Sequence, residues 1–133
     1  MRIWTLAPFA LLLAAPALAG PLPMDTPVTL GNVETVCTGI GDGKNDPRWK
    51  TYPIRVEFAD GAAHDIAGAH VVLSDVAGRT AAELDCSGSW VLFKMPRGLY
   101  SVAARIGTAS ATAKFQTPAT GQMRVVLRFP AQP

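Results

Sequence analysis

Six stretches of this chain place apolar side chains at every second position, and that alternation limits the fold more than any other feature. In YPIRVEFA, Ile54, Val56 and Phe58 share one side while Arg55 and Glu57 take the other. AHVVLSD repeats the pattern with Ala69, Val71 and Leu73 against His70 and Ser74, and Arg79 to Cys86 continues it after the turn at Asp75-Val76-Ala77-Gly78. Tyr100, Val102, Ala104 and Ile106 alternate with Ser101, Ala103 and Arg105; Ala109 to Phe115 does so more weakly; Met123, Val125, Leu127 and Phe129 alternate with Arg124 and Arg128. A period of two places successive side chains on opposite faces of a half-buried strand.

Trp90-Val91-Leu92-Phe93 is apolar at every position, which predicts a strand covered on both faces. No long amphipathic helix intervenes. Seven short strands joined by turns predict an all-β chain, an antiparallel seven-stranded β-sandwich spanning residues 52–130.

The N-terminal segment has a different character. MRIWTLAPFALLLAAPALAG carries one basic residue, Arg2, then an apolar run and the small residues Ala17 and Ala19. This is the plan of a secretory signal peptide over residues 1–19, cut after Ala19. Pro8 and Pro16 would kink a membrane helix, and Gly20-Pro21-Leu22-Pro23 offers no cysteine for lipid attachment. The expected product is an exported protein, periplasmic or secreted, with no membrane association after cleavage.

Removing 19 of 133 residues leaves about 114, enough for one modest core. Residues 20–51 read as an extended, proline-rich arm and a polar, glycine-rich loop. Val28-Thr29-Leu30 and Val33 to Cys37 are short enough for an edge strand or an ordered arm, and Arg48-Trp49-Lys50 fits one helical turn. Twelve Lys and Arg oppose ten Asp and Glu, a net charge of +2, and these charges are scattered along the chain. That distribution predicts no nucleic-acid partner, which would need clustered basic residues.

Cys37 and Cys86 are the two cysteines. In an oxidising compartment they are expected to pair, closing a loop of about 50 residues and stabilising the fold by about 4 kcal/mol. A redox pair would sit closer together as C-x-x-C, and a zinc site needs more ligands than two cysteines and two distant histidines supply.

GAHVVLSDVAGRTAAELDCSGSWVLFKMPRGLYSVAARIG resembles the carboxypeptidase regulatory-like group of transthyretin-like, prealbumin-like β-sandwiches. Asp75 and Gly78 match that group's D-x-x-G turn, and Met95-Pro96-Arg97-Gly98-Leu99-Tyr100-Ser101-Val102 matches its L-P-x-G-x-Y-x-V hairpin, with methionine in place of leucine. The lead-in VCTGIGDGKND…YPIRVEFA is similar to that of small exported bacterial proteins of unassigned activity. The resemblance spans Ile54 to Phe129 and implies a Greek-key sandwich. Pro96 and Gly98 are expected to form a tight corner, with Gly98 in a conformation other residues resist, and Tyr100 to place its hydroxyl on a backbone partner.

The resemblance also implies a possible chemistry to weigh. One transthyretin-like group hydrolyses a ureide ring, using an N-terminal histidine, an arginine and a C-terminal tyrosine-arginine-glycine-serine motif. This chain ends VVLRFPAQP, and His64 and His70 lie elsewhere. Ser87-Gly88-Ser89 lacks the G-x-S-x-G elbow of a hydrolase nucleophile. No catalytic residue and no cofactor is expected.

His64, Asp65 and His70 are the weak metal candidates, with exposed loop and strand polars as the plainer reading. The candidate binding surface is Arg48, Trp49 and Lys50, where the indole could stack on a carbohydrate or pack on an envelope protein. Trp49 folding back over the core is the competing reading. The sequence thus predicts a non-catalytic binding or structural module, with a metal-binding or small hydrolytic protein as the alternative.

Overall fold

The computed structural model describes residues 18–130. Ten strands form two five-stranded sheets packed as a sandwich: β1 (Leu18–Pro21), β2 (Val28–Leu30), β3 (Val33–Thr38), β4 (Ile54–Ala59), β5 (Ala69–Asp75), β6 (Thr80–Cys86), β7 (Trp90–Lys94), β8 (Leu99–Ile106), β9 (Ala109–Gln116) and β10 (Met123–Arg128). One sheet runs β1-β6-β5-β8-β9 and the other β10-β4-β7-β3-β2. Among the described residues no helix is long and apolar enough to cross a membrane. The signal-peptide segment lies outside the described residues up to position 17, and the expected cut after Ala19 falls within β1.

The all-β sandwich is present, and the alternating stretches occupy β4, β5, β6, β8, β9 and β10. Two expectations are corrected. Among the described residues the sandwich has ten strands, seven of them (β4–β10) within the expected span 52–130 and three before it, and the sheets are mixed rather than antiparallel, because β1 pairs parallel to β6 and β10 parallel to β4. The arm expected over residues 20–51 supplies β2 and β3, and β3 lies inside its sheet between β7 and β2.

The physical reason is visible in the burial of β3. Val33 and Cys37 face the main core, while Val36 joins Leu92, Trp49 and Tyr52 in a second cluster on the opposite side. A strand buried on both faces loses the polar alternation that would announce it. Leu92 does the same for β7, as its wholly apolar sequence predicts: Val91 and Phe93 point into the sandwich, and Leu92 points outward under a lid.

That lid is the glycine-rich loop, which forms two 3-10 turns, Gly41–Asn45 and Pro47–Thr51. Asp46 caps the second turn by accepting from the Arg48 amide at 2.9 Å, and Pro47 occupies its first position.

The sheets are tied by a Cys37–Cys86 disulfide, from β3 to the end of β6, with a Cα separation of 5.5 Å. Gly88 lies two residues beyond Cys86. A Cβ there would collide with the Thr38 carbonyl, so the chain leaving the disulfide can press on β3 only as glycine.

The two turn motifs behave differently. In the first, Asp75 Oδ1 accepts from the Ala77 and Arg79 amides at 2.9 and 3.0 Å, and Gly78 takes a φ of +80°. In the second, the Tyr100 hydroxyl donates to the Pro96 carbonyl at 2.8 Å, as expected of that corner. Gly98 is not among the positive-φ glycines. The corner closes instead through Thr117, whose Oγ1 accepts from the Gly98 amide at 2.9 Å and whose amide donates to the Gly98 carbonyl at 3.0 Å.

Candidate functional site

Arg48, Trp49 and Lys50 do not form a joint binding surface. Trp49 is 3 % exposed, its indole N–H donates to the Gly43 carbonyl at 2.7 Å, and its ring meets Tyr52 edge-on at 6.0 Å between centroids. Its carbonyl accepts from the Gln122 side-chain amide at 2.7 Å. The tryptophan closes the outer face of the sheet over Leu92 and Val36, so stacking on a ligand is ruled out by burial. Arg48 covers the other side of the indole at 4.7 Å and pairs with Asp46 at 2.7 Å. The Arg48 side-chain hydrogen bonds hold the Asp46 carboxyl below the usual range. Arg48 and Lys50 remain exposed to solvent on either side of the buried indole.

Tyr52 completes the lid. Its hydroxyl donates to Glu34, and Lys94 lies over its ring at 4.7 Å. Burial, then the Glu34 contact, pushes the phenol well above its ordinary value.

The metal candidates separate. His64 is 78 % exposed on its loop and faces Asp60 at 3.4 Å. Asp65 makes a backbone bridge to Ala59. His70 stands on the outer face of the first sheet, with Nδ1 2.7 Å from Asp85 Oδ1 and Nε2 2.8 Å from Glu83 Oε2. Its two ring nitrogens point away from each other toward different carboxylates, so these three groups do not converge on one ion. Among the described residues no group of three His, Cys, Asp or Glu is placed to hold a metal.

Both contacts of His70 are hydrogen bonds only when both nitrogens carry protons. The Asp85 bond, against the opposing cost of burial and with help from Glu83, raises the imidazole above its ordinary value. Arg105, the cross-strand neighbour of His70 on β8, faces it from the other side. Glu83 and Asp85 were legible in the sequence only as alternate residues of one strand. Their meeting with His70 follows from the β5–β6 register, which pairs His70 with Asp85 and Val72 with Glu83.

A second charged cluster fastens the parallel pair β4–β10. Glu57 is 4 % exposed and accepts from Arg124 Nε and Nη2 at 2.6 and 2.9 Å. Arg55 Nε approaches at 2.8 Å but off the hydrogen-bond direction, and its guanidinium lies 4.4 Å over the Trp90 ring. A buried carboxylate held this way stabilises only with its arginines in place. It serves packing.

An exposed apolar surface lies at the end of the first sheet. Asp75, Val76, Leu99, Tyr100, Ser101, Lys114 and Phe115 line an open groove of about 260 Å³. Val76 is 78 % and Leu99 54 % exposed, while Tyr100 and Phe115 stack at 6.0 Å and 19°. The sequence contains Val76 inside a turn and Leu99 inside a hairpin motif, and neither position signals that the fold sets them side by side.

Comparison with models of known protein families and with curated proteins found no match.

Proposed function

We propose that this protein is an exported, non-catalytic binding module of the transthyretin-like, carboxypeptidase regulatory-like type, acting in the periplasm or outside the cell on a partner protein. The groove between Val76 and Leu99 carries the reading. Two large aliphatic side chains left exposed beside an aromatic stack are unfavourable in water unless something covers them, and such patches mark interaction surfaces. Support for export comes from the signal-like N-terminus and from a disulfide spanning the two sheets. Support for the type comes from the Asp75–Gly78 turn and from the Tyr100 hydroxyl on Pro96. His70, with both nitrogens engaged by carboxylates, weighs for a binding module over the metal-binding or hydrolytic alternative.

The test compares the mature, oxidised protein with a V76D/L99D variant by cross-linking in envelope extract. Both positions are exposed, so the variant should keep its melting temperature and lose the cross-linked species. Identical cross-linking patterns from the two proteins would overturn the assignment.

A further inference from the structure

An open sheet leaves each edge strand with one row of backbone N–H and C=O groups unpaired, and natural edges are usually kept short, bulged or proline-bearing. Two of the four edges here meet that description: β1 has four residues, a register shift and Pro21, and β2 has three residues. β10 is open along six residues and is shorter than β9.

β9 differs. It runs eight residues from Ala109 to Gln116 with no proline or glycine, pairs with β8 at eight consecutive positions without a register shift, and has no strand on its other side among the described residues. Its side chains alternate cleanly. Ser110, Thr112, Lys114 and Gln116 are exposed on the outer face, while Ala111 and Ala113 point inward and pack against the core.

Charge sets the kind of strand that would fit. β8 and β9 together contain Arg105 and Lys114 and no acidic residue. The ion pairs of the described residues use other cations, so these two have no carboxylate within 4.0 Å. On the β5–β6 side of the same face the acids Glu83 and Asp85 are already taken by His70.

We propose that β9 takes up an extended segment of a partner protein as a sixth strand, and that this segment alternates acidic with apolar residues. The carboxylates lie on the outer face near Lys114 and Arg105. The apolar side chains point inward, beside Ala111 and Ala113. Main-chain hydrogen bonds provide attachment and the charges provide selection, as in other strand additions. This rests on the binding-module reading and names its partner; the Val76–Leu99 groove, which Lys114 and Phe115 of β9 help to line, lies at one end of the same strand.

The experiment follows backbone amide exchange by NMR in the oxidised protein during titration with the peptide Ac-VEVEVE-NH2. Controls are Ac-VKVKVK-NH2 and an Ac-VEVEVE-NH2 carrying N-methyl groups at alternate residues. Expected are at least tenfold slower exchange at alternate amides of Ala109–Gln116 and about tenfold weaker binding by K114E, which alters an exposed side chain and leaves the melting temperature unchanged. Neither control peptide should protect β9. Equal protection by the N-methylated peptide, equal binding of the lysine peptide, no protection at millimolar peptide, or a β9 already protected within a dimer seen by sedimentation would each overturn the proposal. Loss of the cross-linked partner in V76D/L99D alongside a silent β9 would leave the binding module intact and remove strand addition alone.

Discussion

Replacing Trp49 with alanine tests whether the 3-10 lid is part of the scaffold. The indole is almost fully buried on Leu92, Val36 and Tyr52. Burying roughly 200 Å² of aromatic surface at about 25 cal/mol per Å² gives about 5 kcal/mol as an upper figure, since the unfolded chain is already partly collapsed. The lost hydrogen bond to Gly43 adds about 1 kcal/mol, and relaxation of the loop recovers part of the total. Large aromatic-to-alanine changes in cores cost about 3–5 kcal/mol, and W49A belongs in that range. For a domain of this size that corresponds to a fall in Tm of roughly 15 °C. Urea unfolding followed by far-UV circular dichroism measures it without depending on tryptophan emission. W49F, which keeps the ring and loses the donor, should cost about 1–2 kcal/mol. A W49A loss below about 1 kcal/mol would refute the lid as structure and return Trp49 to the candidate binding surface.

Two further outcomes follow from the same geometry. Opening the Cys37–Cys86 bond, with a sequence separation of 49, should cost about 4 kcal/mol in unfolding free energy, read as the difference between oxidised and C37A/C86A protein; a difference under about 1 kcal/mol would contradict it. For His70, the folded imidazole binds its proton more tightly than the unfolded one, whose ordinary value is about 6.5. Its stabilisation is therefore complete below about pH 6.5 and lost as pH rises through the folded value. H70Q should abolish that part of the pH dependence, with Glu83, Asp85 and the facing Arg105 unchanged; parallel wild-type and H70Q stability curves between pH 6 and 9 would exclude it.

Much of the fold was legible because it is local. Alternation in YPIRVEFA or AHVVLSD needs only the pleat of one strand, and the Asp75–Gly78 turn and the Tyr100–Pro96 bond join residues four or fewer positions apart. The Cys37–Cys86 bond spans much of the chain, yet a chain with two cysteines allows a single internal pairing. Sandwich class and covalent tie were therefore within reach of the sequence alone.

Tertiary structure decided what depends on which surfaces meet. Residues 47–51 read as a loop or single helical turn whose tryptophan faces either a ligand or the core, and the fold lays it across Leu92 and Val36; β3 carries no alternation because that lid buries its second face. The parallel pairing of β10 with β4 leaves no local trace, since it follows from the chain crossing between sheets. The same holds for His70 between Glu83 and Asp85, and for Val76 beside Leu99: each residue is ordinary in its own segment, and only strand register places it against the neighbours that give it chemistry. The sequence determined the elements and their bond, and packing decided that the candidate binding surface lies along β8, β9 and the Val76 turn rather than at Trp49.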